Sequence, residues 1–341
     1  MNFKNLKKIY IIAEIGVNHN GNLKLAKKLI LNAKKAGANA VKFQTFMAEK
    51  LALPNTKKTK YQKKNTNNSS ENHFQMLKKL ELDFREFKIL KNFSDENKID
   101  FISTPYDLQS ARFLKKIRLK IFKVASADLV DIELNKYLAK NAPSVILSLG
   151  MANQDEIKKI LKIYRKKNKK NIALLNCVSN YPCKLKSMNL KYFHSLKKTG
   201  YVYGLSDHTK SNIPAIVTVS LGGMVIEKHF TLNKNMKGPD HRSSLNYKEF
   251  KHFISDIRRA EIVIGKNIKI CQLEEKNMKL ISRKSIVTSK CIKKGEMFSK
   301  ENICLKRPGT GLNPLYYYDK VLKKKSKNFL GKDAIIKIKD F

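Results

Sequence analysis

Several short runs in this chain are apolar at every position. Val145-Ile146-Leu147 and Ile172-Ala173-Leu174-Leu175 offer no polar face at all. Strands of that kind must be covered on both sides, which points to a parallel sheet sandwiched by helices. Strand-like runs fall at 10–15, 40–46, 100–105, 121–125, 144–149, 172–178, 202–205 and 224–230. Helical patterns alternate with them. The first places Leu23, Ala26, Leu29, Ile30 and Ala33 on one face, with Gly37 positioned to end it. The last, over 247–264, is closed by Gly265. The polar stretch 57–72 reads as an exposed loop. About eight β/α units in this length match a (β/α)8 TIM barrel, an α/β fold. A doubly wound open sheet competes, but no glycine-rich dinucleotide turn follows the first strand.

Past about Lys279 the texture changes. Short β-like runs at 285–287, 291–292 and 334–338 are punctuated by Gly295, Pro308, Gly309, Gly311, Pro314 and Gly331. The expected organisation is a barrel over 1–265, a linker over 266–280 and a small β-rich domain over 281–341. With 341 residues, 42% of them hydrophobic, the chain can bury a large core.

No apolar run is long enough to span a bilayer, so no membrane association is expected. The segment 1–8 carries lysines but runs straight into a strand, without the longer apolar stretch of a signal peptide. The chain reads as cytoplasmic, and its five cysteines, with no close CxxC pair, read as reduced thiols. The formal net charge of +43 comes mostly from lysines spread along the whole chain. Aromatics are not interleaved with them as in single-strand binders. No specific nucleic-acid partner is read from this charge; it favours capture of anionic substrates.

The ends of the barrel strands carry the chemistry, because this fold builds its active face there. Those ends hold Glu14, Lys42 with Gln44, Thr104, Lys123 with Ser126, Ser148, Ser179, Ser206 with His208, and Glu227 with His229. One such residue is ordinarily a satisfied structural group. A full ring of them on otherwise apolar strands implies a polar ligand, because buried polar groups cost free energy unless paired. Lys42 and Lys123, with Thr104, Ser126, Ser148 and Ser206, suit a phosphate and a carboxylate. His208 and His229, on consecutive strands, can share one divalent metal, and neighbouring Glu227 and Asp207 strengthen that reading. His73, His194, His241 and His252 read as loop or helix-surface residues, and His19 is ambiguous.

These residues fall in motifs that resemble the bacterial sialic acid synthase (N-acetylneuraminate synthase) family. The motifs are Ala13-Glu14-Ile15-Gly16-Val17-Asn18-His19-Asn20-Gly21, Val41-Lys42-Phe43-Gln44, Ser103-Thr104-Pro105 and Phe122-Lys123-Val124-Ala125-Ser126. Gly204-Leu205-Ser206-Asp207-His208, Ile226-Glu227-Lys228-His229-Phe230, Gly238-Pro239-Asp240-His241 and Lys306-Arg307-Pro308-Gly309-Thr310-Gly311-Leu312 complete the set. The resemblance implies a C-terminal antifreeze-like (SAF, β-clip) domain and a homodimer with swapped SAF domains. It implies phosphoenolpyruvate binding by Lys42, Thr104, Lys123, Ser126, Ser148 and Ser206. Ser179 stands where some members carry an Asn that helps hold phosphoenolpyruvate, and it can hydrogen-bond in that place. Asn176 stands where the family often has His. The resemblance further implies manganese or magnesium on His208 and His229, Glu14, Gln44, Tyr181 and Asp240 facing an N-acylated amino sugar, and Arg307 reaching the acyl group from the partner subunit.

The implied reaction joins C3 of phosphoenolpyruvate to the sugar aldehyde, adds water at C2 and releases phosphate, with Glu14 and Glu227 handling the proton and the cationic centre. N-acetylmannosamine is the first-placed acceptor, giving N-acetylneuraminate. A diacetamido-trideoxyhexose, giving legionaminate or pseudaminate, is the alternative. A Schiff-base aldolase using Lys42 or Lys123 is a rival enzyme, and a polyanion-binding protein a more distant one.

Overall fold

Eight parallel strands close into a barrel in simple sequence order. They are β1 (Tyr10–Gly16), β2 (Ala40–Thr45), β3 (Asp100–Pro105), β4 (Ile121–Val124), β5 (Ser144–Ser148), β6 (Ile172–Cys177), β7 (Val202–Asp207) and β8 (Val225–His229). β8 pairs back onto β1 from Tyr10↔Val225 to Glu14↔His229, which seals the cylinder. The computed structural model describes residues 2–66, 68, 70–167 and 169–341. It divides into one unit over Met1–Gly265 and another over Lys266–Phe341.

The helices begin and end where local chemistry satisfies their free backbone groups. Asn22 caps Leu23–Ala36 by accepting from the Leu25 amide, and Gly37 ends that helix at φ 101°, in the left-handed region that favours glycine. Asp83 with Glu86, Asn153 with Glu156 and Asn246 with Glu249 form reciprocal capping boxes on Phe84–Glu96, Gln154–Lys166 and Tyr247–Ile264.

Strand periodicity sorts side chains to two faces. Ile11, Ala13, Val41, Val145, Leu147, Leu174, Leu205 and Ile226 point outward into the layer shared with the helices. Tyr10, Ile12, Ala40, Ile102, Ile121, Ile146, Ala173, Leu175 and Val225 fill the inside, and Phe3 joins that inner cluster. Gly204 is required where β7 meets β8, since a Cβ there would lie 1.8 Å from the Val225 carbonyl oxygen.

One local expectation of the barrel unit changes. The stretch 57–72 is not a plain loop: Lys60–Thr66 is helical, and Lys58 is anchored by Thr66, the Asn68 carbonyl and Glu71 at 3.1, 2.7 and 3.0 Å. Residues 67 and 69 of that stretch lie outside the described residues. A second helix, His73–Leu80, follows and packs Met76, Leu77 and Leu80 with Val17, Phe46 and Ala48 in a satellite core.

The second unit is built on β9 (Ser285–Thr288) and β10 (Ile303–Lys306), paired antiparallel. Its core is Ile286, Ile292, Phe298, Ile303, Val321 and Ile336. The β-like runs at 291–292 and 334–338 make only isolated bridges, Ile292↔Leu330 and Val287↔Ile335. Two helices lie where none was expected, Glu275–Ser282 and Pro314–Val321. The five cysteines are free thiols. Among the described residues, no helix is long and apolar enough to cross a membrane.

Candidate active site

Above the apolar inner layer, the next inward-facing position on each strand is polar. The same period-two rule that points Ile12 inward points Glu14 inward one step later. Lys42, Thr104, Lys123, Ser148, Ser206 and Glu227 arrive in the same way, and all are buried. Cys177 occupies the equivalent place on β6 and lines the mouth with them. Nothing in its residue type singled it out; its register on an apolar strand was the available signal.

Lys42 lies at the centre. Its Nζ is 2.7 Å from Glu14 Oε2 and 3.7 Å from Glu227 Oε2, and it donates to Thr104 Oγ1 at 3.4 Å. Those two carboxylate oxygens have no other hydrogen-bond partner. Gln44 Nε2 donates to the remaining Glu14 oxygen at 3.1 Å, and Ser206 Oγ to that of Glu227 at 2.8 Å. Lys123 donates to Ser148 Oγ at 2.6 Å and to the Val124 carbonyl at 2.9 Å.

The charges separate the two acids. Burial raises the Glu14 carboxyl, and proximity to Glu227 adds to this against the pull of Lys42. Burial also opposes ionisation of Glu227, but Lys42 and Lys123 outweigh it and hold that carboxyl below its ordinary value. Lys123 is itself lowered by burial.

Ser126 and Ser179 flank Gly150. The Gly150 amide donates to Ser126 Oγ at 3.1 Å, and a Cβ at Gly150 would lie 2.6 Å from Ser179 Oγ and 2.7 Å from Ser126 Oγ. Only glycine leaves both hydroxyls room at that edge.

His208 and His229 meet across the mouth with ring centroids 5.5 Å apart. His208 Nδ1 lies 2.8 Å from the Val178 carbonyl, which fixes that nitrogen as an N–H donor and leaves Nε2 as the atom that faces a ligand. Burial, then His208, pushes His229 well below its ordinary value, so its imidazole is neutral, and its Nδ1 is buried without a partner. Burial opposes protonation of His208, but contacts with Cys177, the Val178 carbonyl and Glu227 outweigh it and raise that imidazole. The mouth thus pairs one neutral imidazole with one that binds its proton more tightly; with that proton displaced, the two ring nitrogens suit a divalent ion. Among the described residues, no group of three or more His, Cys, Asp or Glu is arranged to hold a metal.

Asp207 does not join them. It points outward, where its carboxylate accepts from Lys228 Nζ at 2.7 Å in a fully buried pair. Asn176 also faces away, donating to the Met188 carbonyl at 2.9 Å, so its difference from the family pattern lies outside the mouth. His241 is fully buried rather than on a surface; it ties Thr231 Oγ1 at 2.7 Å and Asn20 Oδ1 at 3.2 Å. His19 is buried beside Phe43 with its Nε2 unpartnered.

The Tyr181 ring lies 4.1 Å from His208, tilted by 40°, and edge-on to His229 at 5.5 Å, centroid to centroid. Asp240 is buried at the rim of the same mouth, its carboxyl pushed up to about 7 by burial and by Glu14. Tyr61, Tyr106 and Asp128 also line this region and were not singled out from the sequence. They come from segments just beyond strand ends or from the β2–β3 insertion, where no periodicity marks an inward position. Arg307 belongs to the second unit, directly after β10, and is exposed.

A barrel whose open end concentrates paired cations, paired acids and two free imidazoles defines an enzyme that works on an anionic substrate. Comparison with known proteins narrows that class. The NeuB family model matches residues 29–269, and the chain belongs to the NeuB family. An N,N'-diacetyllegionaminic acid synthase of Campylobacter jejuni is 44% identical over 95% of this chain and 98% of its own length. One from Legionella pneumophila is 38% identical over 89% and 87%. The crystal structure of an N-acetylneuraminic acid (sialic acid) synthetase from Leptospira borgpetersenii, in complex with citrate, superposes with a TM-score of 0.71 at 33% identity. It covers 80% of this chain and 90% of that one.

Proposed function

We propose that this enzyme condenses phosphoenolpyruvate with an N-acylated amino sugar and water, giving a nine-carbon sialic-type acid and phosphate. The observation that carries this reading is the convergence of Lys42, Lys123, Glu14 and Glu227 beside His208 and His229 in one barrel mouth. The acceptor is a diacetamido-trideoxyhexose, with legionaminate-type product, rather than the N-acetylmannosamine that the sequence resemblance placed first. Support for the change comes from the 44% and 38% identity to two N,N'-diacetyllegionaminic acid synthases.

In this reading Lys42 and Lys123 neutralise the phosphate and carboxylate of phosphoenolpyruvate, with Thr104, Ser126, Ser148, Ser179 and Ser206 donating hydrogen bonds. His208 and His229 would hold a manganese or magnesium ion, which would supply Lewis acidity for the acceptor's aldehyde. Tyr181, Gln44 and Asp240 orient the acceptor. C3 of phosphoenolpyruvate forms the new bond to the aldehyde carbon, leaving a cationic centre at C2. Glu227, held ionised, faces that centre. Glu14, whose carboxyl is raised, takes a proton from the water that adds to C2. The C2–O bond to phosphate then breaks as the C2 hydroxyl passes its proton to the leaving phosphate and becomes the keto group, and the proton on Glu14 goes to the former aldehyde oxygen. Holding both reactants in register supplies much of the rate. A swapped homodimer, with Arg307 of the partner subunit on the acyl carbonyl, completes the proposal.

Phosphate release, followed with a diacetamido-trideoxyhexose, its stereoisomers and N-acetylmannosamine as acceptors, tests the reading. Release that needs both phosphoenolpyruvate and one of these sugars is expected. Covalent trapping of pyruvate by borohydride, without phosphate release, would replace it with the Schiff-base aldolase.

A further inference from the structure

Beside the chamber of Lys42 and Lys123 lies a second cavity of about 490 Å³, and the two share Gln44, Tyr61, Tyr181 and His229 as walls. The chemistry proposed above leaves the far side of this cavity unused. That side comes from the segment inserted between β2 and β3, which brings Leu51, Leu53, Met76 and Leu77 to its wall. Leu53 is 78% exposed, an uncovered leucine on the rim of a polar site.

Two residues that line the same cavity each carry a buried polar atom without a partner, His73 Nδ1 and Asp128 Oδ2. Buried polar atoms are nearly always paired, so two orphans on residues that line one cavity mark groups that a small side-chain turn would offer to a ligand. A fully hydroxylated sugar needs polar partners on all sides and gains little from a leucine wall. A sugar with one oxygen replaced by hydrogen and a second hydroxyl replaced by an acylamino group presents apolar methyls and one amide.

We propose that this cavity is the subsite that selects a doubly acylated, deoxygenated acceptor sugar. Its leucine and methionine wall covers the methyl groups, and His73 and Asp128 bind the second acylamino group. Burial holds His73 below its ordinary value, so its Nδ1 can accept from an amide N–H. The Asp128 carboxyl, pushed up to about 7 by burial and by Asp131, can donate to an amide carbonyl. The inference rests on the function proposed above and names the acceptor class of that same site.

Leu53→Ser and His73→Ala test it, since neither residue belongs to the reacting chamber and Leu53 contributes little to the core. Steady-state phosphate release is measured with a diacetamido-trideoxyhexose and with N-acetylmannosamine, the latter as a competitor where its turnover is too slow. Each variant is expected to raise KM for the diacylated sugar about tenfold, the low end of what one group in a pocket discriminates. The KM for phosphoenolpyruvate and the KM or Ki for N-acetylmannosamine stay at wild-type values. Equal losses with both sugars, or no change with either, overturn the subsite while leaving the proposed reaction intact. Wild-type enzyme that releases phosphate with no acceptor overturns the reaction and the subsite together.

Discussion

Replacing Lys42 with methionine removes the ammonium that lies beside both Glu14 and Glu227. The ammonium lies 2.7 Å from one carboxylate and 3.7 Å from the other, and all three side chains are no more than 6% exposed. Solvent therefore screens little of the interaction. Truncating one partner of a buried charge group costs about 3–5 kcal/mol, much of it the penalty of leaving the other charges unpaired. The same ammonium is proposed to hold phosphoenolpyruvate, so the loss falls on the transition state as well as on the resting site. At about 1.4 kcal/mol per decade, kcat/KM for phosphoenolpyruvate drops roughly 140- to 3,700-fold. Methionine keeps the length and apolar stem of lysine, so the barrel is expected to fold. Phosphate release with phosphoenolpyruvate varied at saturating acceptor measures the effect, with circular dichroism as the check on folding. A folded Lys42→Met enzyme within tenfold of wild type would refute the placement of Lys42 at the centre of the chemistry.

Three further outcomes follow from other parts of the structure. Lys228→Met strands Asp207 in the layer outside the barrel, so urea unfolding should show about 3–5 kcal/mol of lost stability, partly regained by adding Asp207→Asn. The KM for phosphoenolpyruvate should not move; a large change would return Asp207 to the active site. Chelation should abolish turnover, manganese should restore it, and His208→Ala should block the restoration with the fold intact; full activity in chelator excludes the metal role. Asp128 and Asp240 are both raised from 3.8 to about 7, chiefly by burial, and so bind protons more tightly folded than unfolded. Their contribution is present below the unfolded value and is lost as pH rises through about 7, so stability falls across that window. Asp240→Asn should flatten the slope of unfolding free energy against pH there; an unchanged slope contradicts the buried, protonated carboxyl.

The barrel was legible because its signals are local. Fully apolar runs such as Val145-Ile146-Leu147 admit few environments, and Gly37 and Gly265 mark the ends of the first and last barrel helices. The mouth was legible for a related reason: once a strand's start is fixed, period two places Glu14, Lys42, Lys123, Ser206 and Glu227 on its inside. The same rule, applied strictly, separates Ser206 and His208 from Asp207, and Glu227 and His229 from Lys228. Asp207 is next to His208 in sequence, yet this alternation puts it on the opposite face of the strand. The stretch 57–72 was less legible because its helix Lys60–Thr66 is polar and is held by contacts such as Lys58 with Glu71 rather than by an apolar stripe.

By itself, the order of residues determined the alternation of strand and helix, the count of barrel units and the set of polar side chains at the strand ends. These follow from steric and hydrophobic preferences that act within a few residues. Only the tertiary structure decided that Lys42 spans two carboxylates from different strands, and that Asp207 is neutralised outside the barrel. It also decided that the β2–β3 insertion walls a second cavity beside the mouth. Those outcomes depend on distances between residues far apart in the chain, which closure of the barrel sets and no local pattern encodes.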